Sequence, residues 1–292
     1  MSAARNRHPG AVCVYFLCVL LPVVFGINPV TAGIGLISGL TLYMLLRRRF
    51  SVRSLAGYLL IVLISAGINP LFNHNGKTVM FFLNRNPVTL EALLYGVVMG
   101  MLIAAALVWA RCFTMVMDTD RLLTVTGRLS PKAALMMSMA LRYVPLLRSQ
   151  AEKAREAQKG LGLIREENGI DRARGALRVF DGMVTWGLEN GIVTADSMTA
   201  RGYGSGRRTR YRLYPWERGD TRTVCFSLLM LAVVAWAGFS GRIGYTWYPE
   251  LTTPASSAAG IAAYAAFALL CMAGAILEIK ERIKWNCLRS KI

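Results

Sequence analysis

Gly187, Asn190, Thr194, Ser197 and Arg201 follow one another at steps of 3, 4, 3 and 4, the spacing of a single stripe on an α-helix. Small side chains along such a stripe allow another helix to come close, and one long cation stands at its C-terminal end. The chemistry open to this arrangement is recognition rather than bond making. A guanidinium at a helix tip forms bidentate, directional contacts with a carboxylate. The same arginine also complements the helix dipole, an effect of about 0.3 to 1 kcal/mol, and spacing alone does not separate the two roles.

Groups that could carry catalysis are sparse. Only two histidines occur, His8 and His74. The six cysteines, Cys13, Cys18, Cys112, Cys225, Cys271 and Cys287, sit in or at the ends of apolar runs without a C-x-x-C pair, so they read as small hydrophobes. Gly76-Lys77-Thr78 resembles the end of a phosphate loop, but the spacing requires glycine where Leu71 stands. Glu91 lies near the outer end of an apolar run, where a carboxylate at a helix N-terminus is the expected reading and an intramembrane functional acid the alternative. No relay of His, Asp or Glu runs through the apolar segments, which argues against a self-contained proton-coupled transporter.

The elements that position Arg201 follow from hydropathy. The chain has 292 residues, of which 54% are apolar, too hydrophobic for an ordinary soluble domain. Roughly 20 apolar residues at about 1.5 Å each cross a bilayer. Six runs approach that length: residues 11–26 (the shortest), 28–46, 54–72, 88–110, 223–240 and 258–277. Gly26-Ile27-Asn28-Pro29 reads as a turn between the first two helices and not as a signal-peptide cleavage site. Lys and Arg are retained on the cytoplasmic side during insertion. With both termini cytoplasmic, 31 of the 34 basic residues fall inside, and only Lys77, Arg85 and Arg242 fall outside. His8 and His74 then lie on opposite faces. The same bias accounts for the net charge of +18 without nucleic acid, for which no fold signature is present. The expected fold class is an all-α integral membrane protein of about six transmembrane helices. Residues 1–110 and 223–292 form the membrane domain, the latter with a basic cytoplasmic tail, and residues 111–222 form a cytoplasmic domain.

That domain holds 20 of the 34 basic and 12 of the 16 acidic residues, so it reads as a folded docking surface and not as a basic tail. Ser130-Pro131 is an N-cap followed by proline at the first helical position, where the missing N–H costs nothing. The helix it opens is rich in Met, Leu and Ala from Ala133 to Leu147 around Arg142, with a kink expected at Pro145. It turns polar from Arg148 to Lys159 and ends at Gly160 and Gly162, since glycine takes the left-handed cap without a Cβ penalty. A second helix is expected over Asp181 to Arg201. Gly202, Gly204 and Gly206 terminate it, and the basic strip Arg207, Arg208, Arg210 and Arg212 leads back to the membrane.

The stretch Ala195-Asp196-Ser197-Met198-Thr199-Ala200-Arg201-Gly202-Tyr203-Gly204 resembles the signature of the transmembrane T component of energy-coupling factor (ECF) transporters, whose coupling helices end in Ala-Arg-Gly. Upstream, Ser138-Met139-Ala140-Leu141-Arg142-Tyr143-Val144-Pro145-Leu146-Leu147 and Ala157-Gln158-Lys159 resemble that family's first coupling region. The resemblance implies a non-catalytic coupling subunit in the bacterial plasma membrane, within an importer of vitamins or metal ions. Such a subunit links two cytoplasmic ABC-type ATPases to a small membrane-embedded S component. It implies no cofactor in this chain, ATP being bound by the partner subunits, and contact otherwise with the lipid bilayer. By analogy, Arg201, flanked by Ala200 and Gly202, inserts into a groove of one ATPase. At the first motif this chain departs from the pattern: Gly160-Leu161-Gly162 stands in place of Ala-Arg-Gly. Either Lys159 or Arg155 supplies the charge or that contact is apolar. A literal Ala173-Arg174-Gly175 lies away from the aligned position and reads as coincidence. Met136, Met137, Met139, Leu141 and Leu146 are the expected apolar platform for the S component, because Met tolerates a partner that slides; ordinary helix packing is the plainer account of each. A permease subunit of a conventional ATP-driven importer is the alternative reading, and it would line a substrate path itself.

Overall fold

The computed structural model describes residues 7–47, 52–73, 76–83, 86–162, 169–206, 214–247 and 257–289. The basic strip from Arg207 to Arg212 lies outside these residues, as do His74, Arg5, Arg48, Arg49, Arg85 and Lys291. Among the described residues there are nine α-helices and one short hairpin: α1 (Pro9–Phe25), α2 (Pro29–Leu46), α3 (Val52–Phe72), β1 (Val79–Leu83), β2 (Asn86–Thr89), α4 (Leu90–Val116), α5 (Thr119–Leu129), α6 (Pro131–Gly160), α7 (Gly169–Ala200), α8 (Arg218–Phe239) and α9 (Ala258–Arg289). The chain divides into two compact units, residues 1–122 with 214–292, and residues 123–213. The second unit is narrower than residues 111–222, because α4 carries the fourth apolar run on to Val116 and α8 opens at Arg218.

Five helices, α2, α3, α4, α8 and α9, are long and apolar enough to cross a membrane. The first apolar run forms the 17-residue α1, which is shorter than these. The expected turn between α1 and α2 is present: Asn28 caps α2, its side chain accepting from the Val30 N–H at 3.2 Å, and Pro29 opens the helix. The described residues are all-α as expected apart from one short hairpin. β1 and β2 pair antiparallel from Val79↔Thr89 to Leu83↔Asn86, and Thr89 at the end of β2 caps α4. Glu91 sits in the first turn of α4, buried, and accepts from the Thr78 hydroxyl and from the Thr78 N–H at 3.2 Å. It is a helix N-terminal carboxylate that ties the hairpin to the helix.

In the first unit α4 packs against α1, α2 and α3. Trp109 of α4 is fully buried, donates to the Gly35 carbonyl of α2 at 3.0 Å, and meets Tyr15 and Phe16 of α1 edge-on. Tyr15 reaches α9, donating to the Leu270 carbonyl at 3.2 Å and accepting from the Gly274 N–H at 3.0 Å. Gly96 and Gly100 form a G-x-x-x-G face on which α3 rests: a Cβ at Gly96 would stand 2.8 Å from the Ser65 carbonyl oxygen, and one at Gly100 2.8 Å from Val62 Cα. With little hydrophobic drive between helices in lipid, such close backbone approach supplies the packing energy.

The ends of the first unit that lead to the polar segment are held by a buried polar cluster. Arg121, buried, donates to the Val116 and Arg7 carbonyls at 3.1 Å each and lies over the Tyr214 ring at 5.3 Å. Asp220, also buried, accepts from the His8 N–H at 3.4 Å and from the Glu217 N–H at 3.1 Å, forming a capping box with Glu217. Arg7 donates to the Gly219 carbonyl at 3.1 Å and to Thr223. His8 caps α1 through Nδ1, accepting from Gly10 N–H at 3.0 Å, with its ring against Trp216. The N-terminal segment therefore fastens both residue 121 and residues 214–223.

Candidate functional site: two capped helix tips

Ser130 caps α6 as expected, accepting from the Ala133 N–H at 3.4 Å, and the helix passes through Pro145 without ending there. The second helix begins twelve residues before the expected start. α7 opens at Gly169 and runs unbroken for 32 residues, because the charged first half, interrupted by glycines, is supported by α6. Ala173-Arg174-Gly175 consequently falls in an early turn, with Arg174 exposed 3.9 Å from Asp171 and Gly175 buried. It has no helix-end geometry.

The stripe of small residues on α7 meets α6. The Tyr143 hydroxyl donates to the Asn190 carbonyl at 3.2 Å and shares a hydrogen bond with Thr194 Oγ1 at 2.9 Å, while Gly187 faces Leu147. Farther along, Arg148, Ala151, Glu152 and Arg155 of α6 line a cavity of about 440 Å³ with Arg172, Gly175, Ala176 and Val179 of α7. Positions rise on one helix as they fall on the other, so the pair is antiparallel. Its two C-terminal ends lie at opposite ends of the pair, about 45 Å apart by helix rise.

Those two ends have one backbone solution. At the end of α7, Gly202 takes φ +81°, its N–H donates to the Thr199 carbonyl at 2.9 Å, and the Tyr203 N–H donates to the Met198 carbonyl at 3.0 Å. This is a Schellman closure, which needs a residue that tolerates positive φ at the position after Arg201. At the end of α6, Gly162 takes φ +70° and its N–H donates to the Lys159 carbonyl at 3.0 Å. The residue before each glycine closes the last α-helical turn: Arg201 N–H to the Ser197 carbonyl at 3.2 Å, and Leu161 N–H to the Ala157 carbonyl at 3.1 Å. Gly160-Leu161-Gly162 thus superimposes in hydrogen-bond register on Ala200-Arg201-Gly202, with leucine where the other tip has arginine. Arg201 is exposed, and among the described residues no carboxylate lies within ion-pair distance of it. Leu161 is 74% exposed.

Lys159 and Arg155 are exposed in the last two turns of α6, and Arg155 lines the cavity shared with α7. The Met and Leu positions stand on the apolar half of α6, with Met136, Met137, Leu141 and Leu146 exposed and Met139 half-buried. The small-residue reading passed over a second stripe on α7, Ile170, Leu177, Phe180, Val184, Leu188 and Ile192, all exposed. Their steps of 7, 3, 4, 4 and 4 are a helical signal in their own right. No residue of α6 and only Gly175 of α7 is buried, so this pair leaves an unusual amount of apolar surface open.

Residues 2–211, more than half of the chain and inclusive of both tips, match the model of the cobalt transport protein family CbiQ. The chain belongs to the CbiQ family. It is similar to curated relatives in that group: 34% identical over 101 residues to energy-coupling factor transporter transmembrane protein EcfT 1 of Listeria monocytogenes, 35% over 104 residues to EcfT of Listeria innocua, and 32% over 103 residues to EcfT of Bacillus subtilis. Each match covers about a third of this chain and 38% of the relative. As a CbiQ-family chain with five membrane-length helices, it is a membrane protein of the transporter class.

Proposed function

We propose that this protein is the coupling subunit of an ECF-type importer in a bacterial plasma membrane. The distribution of Lys and Arg supports a cytoplasmic position for both termini and for residues 123–213. The α7 tip, Ala200-Arg201-Gly202, enters a groove of one ABC-type ATPase, where Arg201 pairs with a carboxylate. The α6 tip, Gly160-Leu161-Gly162 with Lys159 and Arg155 behind it, meets a second ATPase. Met136, Met137, Met139, Leu141 and Leu146 form the platform on which a small membrane S component rests. ATP is bound by the partners, and the cargo, a vitamin or metal ion, is chosen by the S component. Closure of the ATPase pair pushes on the two tips, and the antiparallel helices pass the displacement to the S component.

The observation that carries this reading is the pair of matched, exposed caps at opposite ends of one antiparallel helix pair. Each cap holds its outermost side chain on a rigid helix end, and the spacing of about 45 Å suits two separate cytoplasmic partners. Purification through a tag on this subunit tests it: two ATPase subunits and a small membrane-embedded binding protein should accompany it. Arg201→Glu should abolish recovery of the ATPase at that tip while membrane insertion stays unchanged, since truncating a buried paired charge costs about 2 to 5 kcal/mol. An intact complex recovered from that variant would refute the role assigned to Arg201.

A further inference from the structure

α1 and α8 start together, with the His8 N–H on Asp220 and Arg7 on Gly219, and run side by side in one direction. Towards their C-terminal ends they border a cleft of about 710 Å³, within the range of about 300–1,000 Å³ that ligand sites occupy. We propose that this cleft holds an acyl chain of an anionic phospholipid whose phosphate rests on Arg242. On the topology proposed above this is the outer leaflet, but the site is built whichever way the chain inserts.

The walls of the cleft are hydrocarbon, with Leu21 and Phe25 from α1, Leu231 and Phe239 from α8, and Ile243 from the segment that follows. Asn28 and Thr31 also line it, and both are already paired. The Asn28 amide donates to the Ile243 carbonyl at 3.0 Å and to the Tyr264 hydroxyl, and its oxygen accepts from the Val30 N–H. The Thr31 hydroxyl lies 2.9 Å from each of the Gly26 and Asn28 carbonyls. A polar cargo would gain little in exchange for the water it gives up; an alkyl chain needs no such partner.

A backbone turn places the charge. Gly241 takes φ +68°, its N–H donates to the Gly238 carbonyl at 3.1 Å, and the Arg242 N–H donates to the Ala237 carbonyl at 3.1 Å. This Schellman closure ends α8 and folds the chain back, so that the Arg242 guanidinium lies over the Trp236 ring at 4.7 Å. Trp236 stands about 60° around α8 from Phe239, which sets the cation beside the mouth of the cleft. Arg242 is exposed, and among the described residues no carboxylate lies within ion-pair distance of it. Tyr245, another lining residue, packs edge-on against Trp247 at 4.5 Å between centroids. Aromatic rings and a cation at the end of an apolar helix mark the headgroup level of a bilayer, and a cation there attracts anionic lipid. Because α8 is long and apolar enough to cross a membrane, phospholipid is what surrounds this cleft.

Native mass spectrometry of the full-length protein, titrated in detergent with dioleoyl phosphatidylglycerol or dioleoyl phosphatidylcholine, tests the proposal. Phosphatidylglycerol should bind about fivefold tighter or more. Arg242→Gln should abolish that preference, and Arg242→Lys should keep most of it. Gly238 also lines the cleft, and a Cβ there meets no atom within 4 Å, so Gly238→Phe fills the space without a clash. It should weaken both lipids roughly tenfold, whereas Gly67→Phe on α3, equally unobstructed, should weaken neither. Equal affinity of the wild type for the two lipids overturns the proposal, as does phosphatidylglycerol binding that is unchanged in Arg242→Gln or Gly238→Phe. Inorganic phosphate should not displace the lipid; displacement would mean that Arg242 reads a free anion, and the lipid site fails. In the membranes of cells that encode the protein, a photoreactive residue at position 238 should label phospholipid. Label on a membrane protein alone would make the cleft a protein interface and overturn the proposal.

Discussion

Arg201 is one of many arginines in the polar segment, and the backbone around it sets it apart. Its helix closes on Gly202, whose φ of +81° carries a penalty of about 1 to 2 kcal/mol for any residue with a Cβ. Gly202→Ala should therefore leave the Arg201 side chain intact but misdirect or fray the tip. We expect the affinity for the ATPase at this tip to fall about five- to thirtyfold, measured by titration of purified subunits. Binding equal to the wild type would mean that the arginine acts independently of the cap. The stripe ending at Arg201 was readable from spacing, because helical periodicity is a local property. The equivalence of Gly160-Leu161-Gly162 with Ala200-Arg201-Gly202 was readable only as an alignment; the shared hydrogen-bond register gives it physical content. The cluster of Arg7, His8, Arg121 and Asp220 could not be read at all, since it joins residues more than 100 positions apart and no short pattern encodes such pairs.

Helix pairing is governed by where small residues lie. Gly96 and Gly100 stand against Ser65, Ala66 and Val62 of α3, whereas a Cβ at Gly67 of α3 would meet nothing within 4 Å. Gly100→Leu should wedge α3 from α4 and destabilise the fold by about 1 to 3 kcal/mol, seen as a lower unfolding midpoint in detergent; Gly67→Leu should leave the midpoint unchanged or raise it. Between α6 and α7 the Tyr143 hydroxyl makes two of the cross-helix bonds. Tyr143→Phe should cost about 0.5 to 1.5 kcal/mol per bond lost and speed amide exchange along α7. Sequence patterning located the apolar runs and the Ser130 cap, but it began α7 twelve residues late. The segment from Gly169 to Phe180 has interspersed glycines and charges that argue against an isolated helix, and its support comes from α6. The β1–β2 hairpin was missed for a related reason: its strands are short, and its anchors, Thr89 and Glu91, belong to the start of α4.

At the scale of the whole molecule, the membrane unit has a core and the polar unit has almost none. α4 buries Trp109 and its neighbours, while α6 and α7 leave their Met, Leu, Ile and Phe side chains exposed. Under the coupling role proposed for this chain, a helix pair this open would gain its burial from the proteins on either side of it. The account's central claim is that Arg201 is where force enters. A photoreactive amino acid placed at position 201 of the full-length protein, in the membranes of cells that encode its partners, tests this most directly. The account predicts a cross-link to an ATP-hydrolysing subunit. A residue at 201 that labels only lipid or water, while the assembled transporter is present and active, would contradict it.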